Sequence, residues 1–539
     1  MLKLLFQKKI EKFKFDSIYY SNQDFELTTN GVFLGTSFND EKELALYLIE
    51  EYQTKGFKFI KNLRGSFSIT LHDKKQQISY VYTNHVGDKR IYYFKGTNEF
   101  IVSDSIKEMK NYCDQKRISV SLDQSSAYQL LTFGYLLHDN TLIAEFKRLL
   151  PGHFIKYENE TASIHQYFIL NNANPSQSVT ENDIIENIDS LFRKAVILEY
   201  KKDTQYNLKH ITSLSGGLDC RMNTWVANAL NFSNITNFTF SQSGYLDQTI
   251  AQQIASDLNH EWIFKSLDHG DFLKDVEKII ELTEATTSYS NHCHSNNALT
   301  ILNFQKFGVL HTGQIGDVMI SSFMSENQHN PPYFAKYSSN KLLHKVSDDV
   351  LKNYENQELF LLYNRGFNGA LAGHTLIQHY TEVASPFLDV DFMNYCLSIP
   401  LKLRKNHNIY KKWIIKKYPK AADYIWESLG TTIRAKTLNI RGKTVPIQKL
   451  PRFVWKGMEL QLGLRSKTDT SSAFNMNPFD YWYRTNPLLP GFFNTYYQEN
   501  IHRIPDPELQ KDCELLFTGT TVEKMQVLSL LAALKLIWD

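Results

Sequence analysis

Five cysteines in 539 residues are too few and too scattered for a disulfide framework, and none stands in a C-x-x-C pair, which removes the common zinc and dithiol redox sites. The odd count and wide spacing of Cys113, Cys220, Cys293, Cys396 and Cys513 point to a reducing compartment, so the chain is read as cytoplasmic. An excess of one charge is equally lacking. With 59 Lys and Arg against 57 Asp and Glu, the formal net charge is +2, and no basic field for nucleic acid is expected. Long apolar runs are missing too: the longest, Val527 to Trp538, contains Lys535 and falls short of the roughly 18–20 residues that span a bilayer. It reads as a C-terminal core helix. The N-terminal stretch MLKLLFQKKIEKFKF alternates lysine with apolar residues and offers no secretory core. There is no internal repeat and no low-complexity tract. What remains is ordinary globular composition, 42% hydrophobic and 22% charged, over a length that suits two to four domains.

Two grammars divide the chain. From Asn30 to Ile106, short β-rich runs such as Phe67 to Leu71, Ile78 to Tyr82 and Ile91 to Phe94 are separated by Gly, Asn and Asp turns. One helix, Asp40 to Tyr52, interrupts them with Leu44, Tyr47, Leu48 and Tyr52 at helical spacing, which makes an α+β module over 1–120. Residues 121–180 read as a connector with a helix over Tyr128 to Phe133 and a Leu150-Pro151-Gly152 stop. From 181 to about 430, helices alternate with buried strands, Ile211 to Leu214, Ile235 to Phe240 and Trp262 to Phe264, the pattern of an α/β parallel sheet. Residues 431–539 read as a helical extension.

The segment that carries chemistry is Ser215-Gly216-Gly217-Leu218-Asp219, which follows an apolar strand and opens a helix. Glycines let backbone N–H groups approach a ligand closely, and a helix N-terminus adds partial positive charge, so the loop suits a phosphate or pyrophosphate. Asp219 is unfavourable beside bare phosphate but sensible as a ligand of Mg²⁺. The bland alternative is a strand-to-helix turn that merely needs glycine. The loop is neither the Walker pattern nor the G-x-G-x-x-G fingerprint.

It resembles the PP-loop of the ATP pyrophosphatases and, within them, the asparagine-synthase family. Three further segments in order carry that resemblance: Thr239-Phe240 with Asp247; His311-Thr312-Gly313-Gln314-Ile315-Gly316-Asp317; and Ser385-Pro386-Phe387-Leu388-Asp389. The N-terminal module is similar to that family's Ntn-type glutaminase domain, a β-sandwich-like fold, through Leu63-Arg-Gly65-Ser-Phe67 with Asp73 and Gly87-Asp88-Lys89-Arg90 with Tyr92-Tyr93. The resemblance implies an AMP-forming carbon–nitrogen ligase that uses ATP and Mg²⁺. On that reading Ser215, Gly216, Gly217 and Cys220 cradle the phosphates, and Leu214, Phe240, Thr312 and Gly313 place the adenosine. Asp219 and Asp317 hold Mg²⁺, and Lys436 offsets charge on the leaving pyrophosphate, with Lys411 and Lys412 as rivals and a solvated lysine as the alternative. The implied partners are a small-molecule carboxylate, aspartate or a sugar acid, and an amine or ammonia donor, with a second copy of the chain or an ammonia-supplying protein beside it.

The sequence departs from the family in four places. Leu2 follows Met1, where the family's glutaminase begins with a nucleophilic cysteine, and the first cysteine is Cys113. Asn30-Gly31 is followed by Val32 instead of an acidic residue, so glutamine hydrolysis is expected to be lost. Cys220 replaces a hydroxyl donor, and Gln314 replaces a carboxylate that would serve the attacking amine. These departures favour a second reading, an inert nucleotide-binding scaffold. Sulfur or nitrogen transfer to tRNA is disfavoured by the absence of a basic patch. His292, Cys293 and His294 are ligands by type, but adjacent positions point apart, and core packing is the better reading.

Overall fold

The computed structural model describes residues 1–6, 15–38, 40–172, 179–324, 329–440, 443–450 and 472–539. Its first half is built from ten strands: β1 (Leu2–Leu5), β2 (Tyr19–Ser21), β3 (Phe25–Leu34), β4 (Arg64–Asp73), β5 (Ile78–Thr83), β6 (Tyr92–Lys95), β7 (Phe100–Ser103), β8 (Phe146–Arg148), β9 (His153–Glu158) and β10 (Thr161–Gln166). They form a four-stranded sheet, β1-β7-β6-β8, and a six-stranded antiparallel sheet, β10-β9-β5-β4-β3-β2. Side-chain alternation decides the layers. In β5, Tyr80 and Tyr82 face helix α1 (Glu41–Lys55), while Val81 between them meets Phe100 and Val102 of the other sheet. In β7, Ile101 points the opposite way, toward helix α2 (Ile106–Gln115) and helix α3 (Gln124–Phe133). The order is therefore helix, sheet, sheet, helix.

Strand pairing runs through the segment expected to be a connector. β8, β9 and β10 all lie within 121–180, and the Pro151-Gly152 stop is a turn between two paired strands. Asn159 and Glu160, at φ 50° and 58°, make the β9–β10 turn, where two consecutive left-handed residues match the twist of a two-residue hairpin. Neither residue is glycine, so the turn signal was weak in the sequence.

The second half opens with helix α4 (Glu181–Gln205), started by a Thr180–Asp183 capping box. Five parallel strands follow: β11 (Lys209–Ser213), β12 (Ile235–Ser241), β13 (Glu261–Ser266), β14 (Phe307–His311) and β15 (Val383–Ala384). Their order is β13-β12-β11-β14-β15, so the direction of winding reverses between β11 and β14. Helix α5 (Leu218–Ala229) buries Leu218, Met222 and Val226 against Ile188 and Phe192 of α4, and helix α6 (Leu246–Asp257) buries Ile250 and Ile254 beside Leu214.

Residues 472–539 are no loose appendage. The helix Thr521–Trp538 joins the core that contains α3 and Ile211 and Phe238 of the parallel sheet, and Trp482 is fully buried with its indole N–H on Gln242 at 2.7 Å. The tail also includes an antiparallel pair of strands, Thr437–Ile440 with Lys443–Pro446, as well as helices. Among the described residues no helix is long and apolar enough to cross a membrane.

Candidate functional site

In an open parallel sheet the loops at the carboxyl ends of the strands diverge where the strand order reverses, leaving a crevice. Here the crevice lies between the loops after β11 and β14 and opens into a cavity of about 1100 Å³. Leu214, Ser215, Gly217, Asp219 and Cys220 line it from the first loop. Thr312, Gly313, Gln314 and Asp317 line it from the second, and Phe240 from the end of β12.

Gly216 and Lys436, both expected at the site, do not line this cavity. The Gly216 N–H is occupied, donating to Asp247 at 2.7 Å. Its glycine is required by space rather than by φ, because a Cβ would come within 2.9 Å of Glu427 and 3.0 Å of Ile250. Lys436 is exposed on the chain past Gly430, where Arg434 ion-pairs with Asp423 at 2.8 Å, so the Arg-x-Lys segment turns outward. Of its rivals, Lys412 pairs with Glu181 at 2.6 Å. Lys411 is half-buried beside His407, a cavity residue, and burial pulls its ammonium below the usual lysine range.

The first loop is anchored from outside. Arg221, fully buried on α5, donates to the Gly216 carbonyl at 2.9 Å and to Ile425 and Ala421 at 2.6 and 3.1 Å. No side chain caps the N-terminus of α5, so its first-turn N–H groups are left for an anionic ligand.

The second loop is held against the first. Gly313 and Gly316 admit Asp219, since a Cβ on Gly313 would lie 2.5 Å from the Cys220 nitrogen and one on Gly316 2.6 Å from the Asp219 carboxyl carbon. Ile315 between them has φ 59°, an uncommon conformation for a β-branched residue and one that clusters at functional sites. Phe387 of the Pro-Phe-Leu-Asp segment lies beneath Gly316, Ser385 donates to the Gln314 carbonyl at 3.1 Å, and Asp389 caps the helix Val390–Ser398. Gly313→Ala is therefore expected to cost about 1–3 kcal/mol of stability by overpacking. Urea unfolding measures it, and an unchanged midpoint would show that the two loops part freely.

Asp219 sits at the junction. Tyr410 donates its hydroxyl to one carboxylate oxygen at 2.9 Å, and the Asp317 N–H donates to the other at 2.9 Å. Burial, reinforced by the Asp317 carboxylate, pushes the Asp219 carboxyl well above the usual range. A buried carboxyl held up by a second carboxylate is the arrangement that a divalent cation relieves, so the donor set fits Mg²⁺. Burial likewise raises Asp247 to about 6, against the opposing Gly216 N–H.

Behind β14 lies a network absent from the sequence reading. His311 is buried between Asp203 at 2.7 Å and Glu199 at 3.2 Å, and stacks on Tyr200 at 3.9 Å. Burial opposes its charge, but the two carboxylates overcome this and raise the ring to about 9. Asp203, His210 and His311 form the one group of three close metal-ligand types among the described residues, yet contacts of 2.7 and 2.8 Å between them are hydrogen bonds. His292 and His294 are lowered by burial to about 3 and 4 and behave as neutral core rings, while Ser295 alone of that stretch lines the cavity. His407, Glu427, Lys336 and Arg365, which line the cavity, and Tyr410, which bonds Asp219, were also missed, because they come from segments far along the chain that carry no motif.

Cys113 is buried in the core, and desolvation pushes its thiol up to about 11, so it is no nucleophile. Val32 is fully buried against Phe15 and Val309, and Asp16 is fixed by Lys202 and Tyr206 of α4, each at 2.7 Å.

A family model of the glutamine amidotransferase domain matches residues 36–168, ending two residues past β10. A putative glutamine-hydrolysing asparagine synthetase 2 of Methanocaldococcus jannaschii is 23% identical over 252 residues, 44% of this chain and 47% of that protein. The glutamine-hydrolysing asparagine synthetase 3 of Bacillus subtilis is 24% identical over 169 residues, 31% of this chain and 26% of that one. The matched stretches thus span less than half of either relative. Among solved structures, an allosteric regulatory enzyme of purine biosynthesis aligns with 46% of this chain and 62% of its own at 8% identity, with a TM-score of 0.20, too loose to bear on the site. Together, the amidotransferase-domain match over 36–168 and the two low-identity synthetase relatives support a likeness of this chain to the asparagine-synthase family.

Proposed function

We propose that this protein activates a carboxylic acid with ATP and joins it to an amine, releasing AMP and pyrophosphate. The observation that carries this reading is the Asp219–Asp317 junction, with a 2.9 Å bond from the Asp317 N–H to Asp219 beside the uncapped N-terminus of α5. The triphosphate would lie along that helix start, with Ser215 and Gly217 beside it. Leu214 and Phe240 would pack the adenosine, with Thr312 and Gly313 at its edge. Asp219 and Asp317 would hold Mg²⁺, which neutralises charge on the phosphates and polarises the one under attack. Tyr410 fixes the Asp219 carboxylate, so that the pair is preorganised rather than assembled on binding. Lys411 is the ammonium placed to offset pyrophosphate charge, in the role first assigned to Lys436. Gln314 has no charge with which to take a proton, so the amine must arrive neutral or pass its proton elsewhere. With Cys113 buried and Val32 buried in the core next to Asn30-Gly31, ammonia or an amine is the favoured nitrogen source over glutamine.

The neutral Gln314 and the engaged Gly216 N–H favour a second reading, a nucleotide-binding scaffold without turnover. Exchange of labelled pyrophosphate into ATP, with Mg²⁺ and a panel of acids, separates the two. Acid-dependent exchange that gives amide with ammonium but not with glutamine is the expected result, whereas nucleotide binding without exchange would leave only the scaffold.

A further inference from the structure

The cavity is not symmetrical in charge. On the β12 side it is lined by Phe238, Thr239, Phe240 and Met476, and on the β14 side by Ser321, Phe323, Lys336 and Arg365. Its four carboxylates are all engaged at the loops. Asp219 accepts from the Asp317 N–H and the Tyr410 hydroxyl, Asp317 from the Val318 N–H, Asp247 from the Gly216 N–H, and Glu427 from the Tyr245 hydroxyl. Among the described residues, the half that holds Lys336 and Arg365 thus presents two cations, and Asp317, one helical turn before Ser321, is its nearest carboxylate and is already committed to the proposed metal.

Arg365 is held in place by its helix. Residues Leu362–Ala370 form a π-helix, a form rare in proteins and frequent at functional sites. Asn364 and Asn368 flank Arg365 on that helix and fasten it to the segment after α3. Asn364 accepts the His138 N–H at 2.7 Å, and Asn368 donates to the carbonyls of Leu136 and His138 at 3.1 and 2.9 Å. The guanidinium lies over the Phe323 ring at 5.4 Å and donates to the Lys336 carbonyl at 3.2 Å. It makes no ion pair among the described residues. The fork that suits a carboxylate or phosphate is therefore available on the cavity side. A second, independent observation comes from Ser321. This residue is 2% exposed and lines the same half, yet its hydroxyl finds no hydrogen-bond partner among the described residues. Buried hydroxyls are almost always satisfied, so this one, on a residue that lines the cavity, still calls for a polar partner.

We propose that the acid taken by this site carries a second anionic group and no ammonium, and that Arg365, Lys336 and Ser321 hold that group. The inference deepens the adenylation reading and rests on it for the role of the bound acid. An α-amino acid would bring its ammonium against two like charges, which is unfavourable.

The test is calorimetric binding to the full chain with Mg²⁺ and a non-hydrolysable ATP analogue. Glutarate and succinate probe a second carboxylate and 3-phosphoglycerate a phosphate, three acids with two anionic groups each (dianions below), against the monoanion butyrate and the zwitterion aspartate. At least one dianion is expected to bind tenfold or more tighter than butyrate and aspartate, and the arm that wins names the anion. Arg365→Gln should remove that advantage, on the order of ten- to a hundredfold. Lys336→Gln, at an exposed side chain, gives the same comparison should the first variant misfold. Aspartate or butyrate binding as tightly as every dianion, or full dianion affinity in both variants, would overturn the proposal. Pyrophosphate exchange separates the two failures. Dianion binding without exchange defeats adenylation and leaves the anion site, whereas exchange with aspartate or butyrate alone does the reverse.

Discussion

Replacing Asp219 by Asn should lower acid-dependent pyrophosphate exchange on the order of 10²–10³-fold, while making the protein more heat-stable at neutral pH. The two effects have one cause. Asp219 is pushed up by burial and by Asp317, so the folded chain binds its proton more tightly than the unfolded chain does. Between the unfolded pKa and the raised folded one, the native state holds the extra proton, and stability falls as pH rises through that interval. An amide stays neutral, can accept the Asp317 N–H on its oxygen and donate its NH2 to the Tyr410 oxygen, and escapes the cost. Melting without Mg²⁺ should therefore favour Asp219→Asn at pH 8, with the difference shrinking toward pH 4. Full exchange activity in this variant would sink the metal role. A lower melting temperature at pH 8 would mean that the carboxylate is not opposed by its surroundings.

Lys202→Ala should be the most damaging single change outside the cavity, at about 3–5 kcal/mol. The Lys202–Asp16 pair is 2.7 Å long with both side chains at most 2% exposed, and it joins α4 to the start of the N-terminal half. Removing the ammonium leaves a buried carboxylate supported by the Phe33 N–H and the Tyr206 hydroxyl, each at 2.7 Å. Asp16→Asn combined with Lys202→Met removes both charges and should recover most of the loss. Urea unfolding of the two single variants and the double variant measures the coupling, and strict additivity would show that the pair does not act as one.

How these residues come to matter differs in kind. Ser215-Gly-Gly-Leu-Asp219 was legible as a loop between strand and helix at the cavity because its order, strand, small residues, acid, helix, is local and rests on backbone geometry alone. The helices and the parallel strands were legible for the same reason, since a period of 3.6 or a buried apolar run is written within a dozen residues. The hairpin of β9 and β10 was not. Its turn uses Asn159 and Glu160 instead of glycine, so pairing across the expected connector shows only in space. Lys436 was chosen by its order in the chain, and order does not say which way a segment turns after Gly430.

Local pattern by itself determined the alternation of elements and the strand–glycine–acid–helix order around Asp219, because each is set by short-range sterics, while Asp317 was singled out only through the resemblance. Tertiary structure alone decided that Gly216 is fixed by Asp247, that His311 is a buried imidazolium between Glu199 and Asp203, and that Lys336 and Arg365 face the same cavity. Those groups stand 29 to 112 residues apart in sequence, as the 31 between Gly216 and Asp247 and the 112 between His311 and Glu199 show. A hydrogen bond or a shared cavity forms over a few ångströms of space, a distance that sequence separation does not encode until the chain has packed.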